Sequence, residues 1–278
     1  MRYLVKVFYD GKNFYGYQRQ PNLLTIESEI IKALIETNHI KAAEDNHFKS
    51  ASRTDRYVSA IGNVFAFDSD KKIIIDQINA KCSKNKSIVC WSYGEVRENF
   101  SPKFSEWKKY WYLLPINYIR KKANLTFKEI IEISSVFKGE HDFSLFCKVD
   151  HRNTKRKIHQ INIRKNTHSL IFEFIAPSFL WEQVRRIVAY ILSYKMLPKH
   201  LQKPEELLVP QSGIDNLNIM PADPNNLVLV EHHYENVKWK ESEKSIDFIK
   251  NRIDSKLMSL EQEKSLNSTV YNYFKMID

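Results

Sequence analysis

The sequence predicts an α+β fold, on three observations. Strand-like alternation and helix-spaced apolar residues are interleaved along the chain without a regular βαβ order. Only 6 of the 278 residues are glycine, and none of them spells G-x-G-x-x-G or G-x-x-x-x-G-K, which excludes the glycine-rich phosphate turns of doubly wound nucleotide folds. The periodicity breaks at Asn99-Phe100-Ser101-Pro102, placing a seam near 100–107 between two α+β halves, 1–104 and 105–278.

The elements follow from local pattern. Tyr3, Val5, Val7 and Tyr9 alternate as a strand with both faces partly buried. Ile26, Ile30, Ala33, Leu34 and Thr37 share one helical face behind Thr25 as N-cap. Val58 to Phe67 reads as a strand, Asp76 to Cys82 as a helix, and Ile88 to Val96 and Lys108 to Leu114 as strands, the last ended by Pro115. Thr126-Phe127-Lys128-Glu129 is a capping box opening a helix that Gly139 stops. Strands are expected at about 156–163, 169–175 and 227–234. A helix is expected over 180–195, with Leu180, Val184, Ile187, Val188 and Ile191 as its apolar stripe. Ile246, Ile249, Ile253, Leu257 and Leu260 predict a closing amphipathic helix.

Lys and Arg number 43 against 33 Asp and Glu, a formal net charge of +10, so an acidic partner is expected, nucleic acid first. Two basic runs carry the excess. One holds Lys148, Arg152, Lys155, Arg156, Lys157, Arg164 and Lys165; the other holds Arg97, Lys103, Lys108, Lys109, Arg120, Lys121 and Lys122, interleaved with Trp107, Tyr110, Trp111, Tyr112 and Tyr118. Cations can release phosphate counterions and aromatic faces can stack on unpaired bases. The plainer reading is a solvated face beside core aromatics, and Lys155-Arg156-Lys157 also fits an ordinary charged strand edge. The 3 cysteines form no C-x-x-C and the 9 histidines no H-E-x-x-H, so no metal site is expected. Scattered cysteines and a charged, strand-like start predict a cytoplasmic protein, and no apolar run approaches the ~18 residues of a membrane span.

Ser52-Arg53-Thr54-Asp55-Arg56-Tyr57-Val58-Ser59-Ala60 is a polar turn feeding a hydrophobic strand. Arg53 and Arg56 flank Asp55, and nearby cations favour an ionised, nucleophilic carboxylate. An isolated turn aspartate more often caps its own backbone. The setting alters those odds, because the segment resembles the R-T-D-x-G-V-[HS]-A signature of the TruA-type tRNA pseudouridine synthases. Four further segments resemble that family in order: Tyr9-Asp10-Gly11 through Gly16-Tyr17-Gln18, Lys108-Lys109-Tyr110-Trp111-Tyr112, Phe137-Lys138-Gly139-Glu140-His141-Asp142-Phe143, and Phe179-Leu180 through Val184-Arg185-Arg186-Ile187-Val188. Leu227-Val228-Leu229 is a weaker match. The chain departs from the pattern at Ser52 and Tyr57 (glycine in the family), at Lys108 (arginine) and at Asn226 (glycine).

The resemblance implies two related ferredoxin-like or RRM-like halves whose sheets meet around a cleft, a homodimer, and tRNA as partner. It implies isomerisation of uridine in the anticodon stem-loop, at tRNA positions 38 to 40, without metal or cofactor. Asp55, Tyr110 and Arg185 match the catalytic aspartate, the active-site tyrosine and the arginine that pairs with the aspartate. Arg53 matches a residue that turns the base out, and Leu227 an apolar wall. Arg56, Lys155, Arg156 and Lys157 are expected on the RNA backbone. The carboxylate's role stays open between attack on C1′, addition to the base, and proton removal at C2′. His141-Asp142 is expected to be a structural hydrogen-bonded pair, Arg186 a phosphate contact or surface charge, and Trp181 interface or core. A non-catalytic tRNA-binding or tRNA-folding protein on the same fold is the alternative.

Overall fold

A computed structural model describes residues 1–82, 87–116, 118–119, 123–148, 153–167, 169–209 and 219–275. Arg120, Lys121, Lys122 and Arg152 of the basic runs lie outside the described residues. The first half comprises β1 (Arg2–Tyr9), α1 (Ile26–Glu36), β2 (Lys49–Ser50), β3 (Ser59–Asp68), α2 (Ile75–Lys81) and β4 (Ile88–Val96). The second comprises β5 (Trp107–Pro115), α3 (Phe127–Ser135), β6 (Gly139–Asp142), β7 (Lys155–Ile158), β8 (Gln160–Lys165), β9 (Ser169–Ala176), α4 (Gln183–Ser193), α5 (Pro204–Leu207), β10 (Leu227–His233), β11 (Lys240–Glu241) and α6 (Glu243–Lys275). The architecture is mixed α+β, built on one large sheet of order β11-β4-β1-β3-β10-β5-β9-β8, with β2 on the flank of β3 and β6-β7 as a separate hairpin.

Every pairing in the large sheet is antiparallel except β10 with β3, a short parallel seam of Val228 opposite Ser59 and Leu229 opposite Ala60. A core lies on each side of that seam. Tyr3, Val5, Val7, Tyr9, Phe65 and Phe67 pack with Ile26, Ile30, Leu34 and Ile78 of α1 and α2. Tyr112, Leu114, Phe172 and Phe174 pack with Ile130 of α3 and Val184, Ile187, Val188 and Ile191 of α4. The alternating strand residues and the 3.6-period helix residues thus meet as their patterns require. Thr25 and Thr126 both close capping boxes, with Ser28 and Glu129 as the returning side chains.

Three expectations are corrected. The strand expected at 156–163 is two strands in different sheets, β7 pairing β6 and β8 pairing β9. The inward residues there are Ile158, Ile161 and Ile163; the three-residue step after Ile158 shifts the alternation and breaks the strand at His159. The helix expected from 180 starts at Gln183, because Glu182 adopts φ 62 and the Gln183 Oε1 accepts the Leu180 amide at 2.8 Å. The closing helix runs on to Lys275, and beyond Arg252 its residues are exposed all round. Among the described residues no helix is long and apolar enough to cross a membrane.

Candidate active site

Asp55 sits in the loop that enters β3, and the opening segment of the chain builds that loop's seat. Tyr17 N–H donates to the Thr54 carbonyl at 3.1 Å, and the Tyr9 and Thr54 hydroxyls hydrogen-bond at 2.8 Å. Asn63 Nδ2 donates both to the Tyr9 hydroxyl and to the Ser52 carbonyl. Gly11 N–H donates to Ser59 Oγ, and its Cα lies so near the loop that a Cβ would stand 2.2 Å from the Val58 carbonyl oxygen. Gly16, at φ +91, backs the Thr54–Arg56 backbone in the same way. Tyr57, where the family signature has glycine, keeps the left-handed conformation at φ 71. Its ring meets the Arg56 guanidinium at 4.5 Å, with Tyr15 on that guanidinium at 4.3 Å.

The partners of Asp55 come from the other half. Arg185 Nη1 on α4 donates to its Oδ2 at 3.0 Å, while Arg185 Nε donates to the Ala222 carbonyl at 2.7 Å. Trp181 Nε1 donates to Oδ1 at 3.1 Å. Tyr110 on β5 lies near enough to the Ser52 side chain and to the Asp55 charge for both to act on its hydroxyl, and its ring meets Phe179 edge-on at 5.2 Å. Glu182 orders the start of α4: its Oε2 accepts two bonds from Arg186, at 3.0 and 2.8 Å, and its Oε1 lies 3.8 Å from Arg185 Nη1.

Burial raises the Asp55 carboxyl above its ordinary value of 3.8. The charge and hydrogen bond of Arg185 and the Trp181 hydrogen bond oppose the rise, and Glu182 adds to it. The expectation that Arg53 and Arg56 lower it is therefore corrected. Arg56 spends its charge between two rings, Arg53 is exposed, and water screens both. Burial, then the nearby carboxylate, raises the Tyr110 hydroxyl, so Tyr110 stays protonated and donates.

The other expected residues lie further out. Leu227 is buried in the second core, opposite Tyr112 and two residues before Leu229, the residue opposite Tyr110. Lys155 and Lys157 are exposed on the β6-β7 hairpin, while Arg156 Nη1 donates to the carbonyls of Asn153 and Lys155. The hydrogen bonds and ion pair described at Asp55 come from Arg185 and Trp181. Arg186 is an internal clamp rather than a free surface charge, bonded to Glu182 and to the Ile219 carbonyl. His141 and Asp142 do not pair: His141 Nε2 bonds the Lys138 carbonyl, and Asp142 Oδ1 accepts the Ser144 amide. Sequence reasoning missed Trp181 as a carboxylate partner and Lys148 beside it, whose ammonium lies 4.0 Å from the indole centroid. The pattern around Trp181 reads as interface or core, because no glycine marks the left-handed turn at Glu182 that sets Trp181 before the helix.

No group of three or more His, Cys, Asp or Glu gathers into a metal-holding cluster among the described residues. The site gathers an arginine, an indole N–H and a protonated tyrosine around one partly buried aspartate. Residues 133–235 match the family model described as tRNA pseudouridine synthase. The tRNA pseudouridine synthase A of Methanosphaera stadtmanae is 34% identical over 280 residues, 99% of each chain. That of Pyrococcus furiosus is 37% identical over 243 residues, 86% of each chain, and that of Methanobrevibacter smithii 30% identical over 285 residues, 97% of this chain and 96% of its own. The chain belongs to the tRNA pseudouridine synthase family, and the class of its chemistry is isomerisation.

Proposed function

We propose that this chain isomerises uridine to pseudouridine in the anticodon stem-loop of tRNA, at positions 38 to 40, with Asp55 as the catalytic carboxylate. The observation that carries the reading is the Asp55–Arg185 pair at 3.0 Å, made between halves 130 residues apart and left 30% exposed at Asp55. In the reaction the N1–C1′ bond breaks, the uracil turns, and C5 bonds C1′. The proton on C5 is lost and N1 gains one, so the nucleotide keeps its composition. Each of the three routes open to the carboxylate needs it ionised, and Arg185 and Trp181 both favour that form. Tyr110 supplies a ring for the uracil and a hydroxyl that stays protonated and can donate a hydrogen bond.

A paired uridine must leave its stack before reaction, at a cost of a few kcal/mol. Arg53 is exposed beside Asp55, with no side-chain hydrogen bond or ion pair among the described residues, which suits it to fill the vacated place. Arg56, prearranged between Tyr15 and Tyr57, and the Lys155-Arg156-Lys157 hairpin take the RNA backbone, with Leu227 as apolar wall. The same reading treats 1–104 and 105–278 as related ferredoxin-like halves, supported by the separate cores flanking the β3–β10 seam. It also includes a cytoplasmic homodimer, supported by family membership.

The test is tritium release from tRNA carrying 5-³H-uridine, with wild type beside Asp55→Asn. Wild type releases tritium; the variant binds tRNA and releases none. Full activity in the variant would reject Asp55. No release from any tRNA by wild type, with binding retained, would move the chain to the non-catalytic tRNA-binding reading.

A further inference from the structure

We propose that Trp181 is a positioning residue for Asp55, its indole N–H fixing the carboxylate oxygen that Arg185 leaves free. The inference rests on Asp55 being the catalytic carboxylate. A carboxylate turns easily about its last torsion, which is broad and roughly two-fold. One donor on one oxygen leaves that rotation open. Here Arg185 Nη1 holds Oδ2 at 3.0 Å and Trp181 Nε1 holds Oδ1 at 3.1 Å, so the plane of the group is set by two donors.

Trp181 is itself held from three sides. Glu182 at φ 62 turns it out of α4, and Gln183, buried, ties the preceding residue by accepting the Leu180 amide. The Trp181 carbonyl accepts the Lys148 amide at 2.9 Å, and the Lys148 ammonium lies over the indole at 4.0 Å. An indole N–H can only donate, so its bond is strongest to the charged carboxylate. A cation on the indole face draws electron density from the ring and strengthens that donor. Lys148 thereby acts on Asp55 through a side chain that does not titrate.

Among the described residues, the charged and titratable groups that act on Asp55 are Arg185 and Glu182 from the start of α4, with Tyr110 from β5 near enough to feel its charge and Lys148 behind the indole. Arg185 and Trp181 favour ionisation, while burial and Glu182 oppose it. Removing the indole donor therefore moves Asp55 towards its protonated form.

The experiment reads Asp55 directly. The full chain is made with ¹³C-labelled aspartate, and the Asp55 Cγ resonance, assigned by its loss in Asp55→Asn, is titrated in wild type, Trp181→Phe, Lys148→Ala and Lys148→Arg. In Trp181→Phe, Asp55 should titrate about one pH unit higher, with the acid limb of kcat moving equally and KM for tRNA staying within about twofold. Lys148→Ala should shift both in the same direction by less, and Lys148→Arg should restore them. An unmoved Asp55 titration in folded Trp181→Phe overturns the proposal, whether or not kcat falls. Should Trp181→Phe not fold, the titration in Lys148→Ala decides by the same criterion. Because the titration needs no turnover, an inactive wild type would reject the proposed reaction while the hold of Trp181 on Asp55 is still measured.

Discussion

Replacing Gly11 by alanine should disable the enzyme without touching any residue of the Asp55 cluster. An added Cβ would stand 2.2 Å from the Val58 carbonyl oxygen, 2.6 Å from its carbon and 2.9 Å from the Tyr57 carbonyl carbon. All three are backbone atoms, so no side chain can swing aside. Reaching ordinary contact requires the 57–58 backbone to retreat by about an ångström. That backbone carries Asp55, whose carbonyl accepts the Val58 amide at 3.2 Å. The same displacement pulls Ser59 Oγ away from the Gly11 amide. Misplacing a reacting group by about 1 Å costs roughly 10²-fold in rate. Overpacking costs about 2 kcal/mol, a fall of about 3 °C in Tm for a chain of this size. The assay is single-turnover tritium release, run below both melting points, with tRNA binding measured in parallel. Gly94→Ala is the control: its Cβ would meet Val237 Cγ1 at 2.6 Å and the Lys238 carbonyl oxygen at 3.2 Å, crowding that does not involve the Asp55 loop. It should lose stability and keep its rate. A Gly11→Ala rate within twofold of wild type would refute the reasoning.

Four other outcomes follow from the same geometry. Arg185→Ala removes the cation from Asp55 and the clamp on Ala222; it should abolish turnover and cost about 2 kcal/mol by denaturant titration, less than for a fully buried pair because the Asp55 side chain is 30% exposed. Since burial raises the Asp55 carboxyl above 3.8, the acid limb of kcat should lie above 3.8. The raised folded-state value also means that the folded chain holds this proton more tightly than the unfolded chain. The Asp55 contribution to stability therefore falls as pH rises from about 3.8 through the raised value, and a wild-type minus Asp55→Asn stability difference, measured against pH, should show that slope. Replacing Lys155, Arg156 and Lys157 together by alanine should reduce the slope of log affinity for tRNA against log salt by about 2 to 3, and an unchanged slope would remove the hairpin from the RNA interface.

The pattern-based elements were legible because each has one face on a core, as with Tyr3, Val5 and Val7 over α1 or Ile130 under the Thr126 cap. The end of α6 was not, because beyond Arg252 no packing face marks its length. Tyr57 was legible as an anomaly: a glycine in a signature marks a positive φ or a close backbone approach, and here tyrosine holds φ 71 with its ring on Arg56. The electrostatics of Asp55 were misread for a physical reason. Nearness in sequence does not give nearness in space, because successive side chains leave a loop in different directions. The cation that acts on Asp55 is 130 residues away, and its nearer neighbours are solvated or stacked. Trp181 needed a broken helix start, and the αL residue there is a glutamate with no glycine to announce it.

What brings distant motifs to one carboxylate is a single row across the sheet. Tyr9 stands opposite Ala60, Ala60 beside Leu229, Leu229 opposite Tyr110, and Tyr110 opposite Phe174. Both tyrosines of that row reach the Asp55 loop, Tyr9 by its hydrogen bond to Thr54 and Tyr110 by lying beside Ser52 and Asp55. The loop is thus pinned from β1 and from β5, on opposite sides of the β3–β10 seam. A one-residue slip at that seam would turn Leu229 away from Ala60 and move Tyr110 off Ser52, because strand side chains alternate faces. The opening motif and the Tyr110 strand are therefore one device: each fixes the register that lets the other hold Asp55 within reach of Arg185.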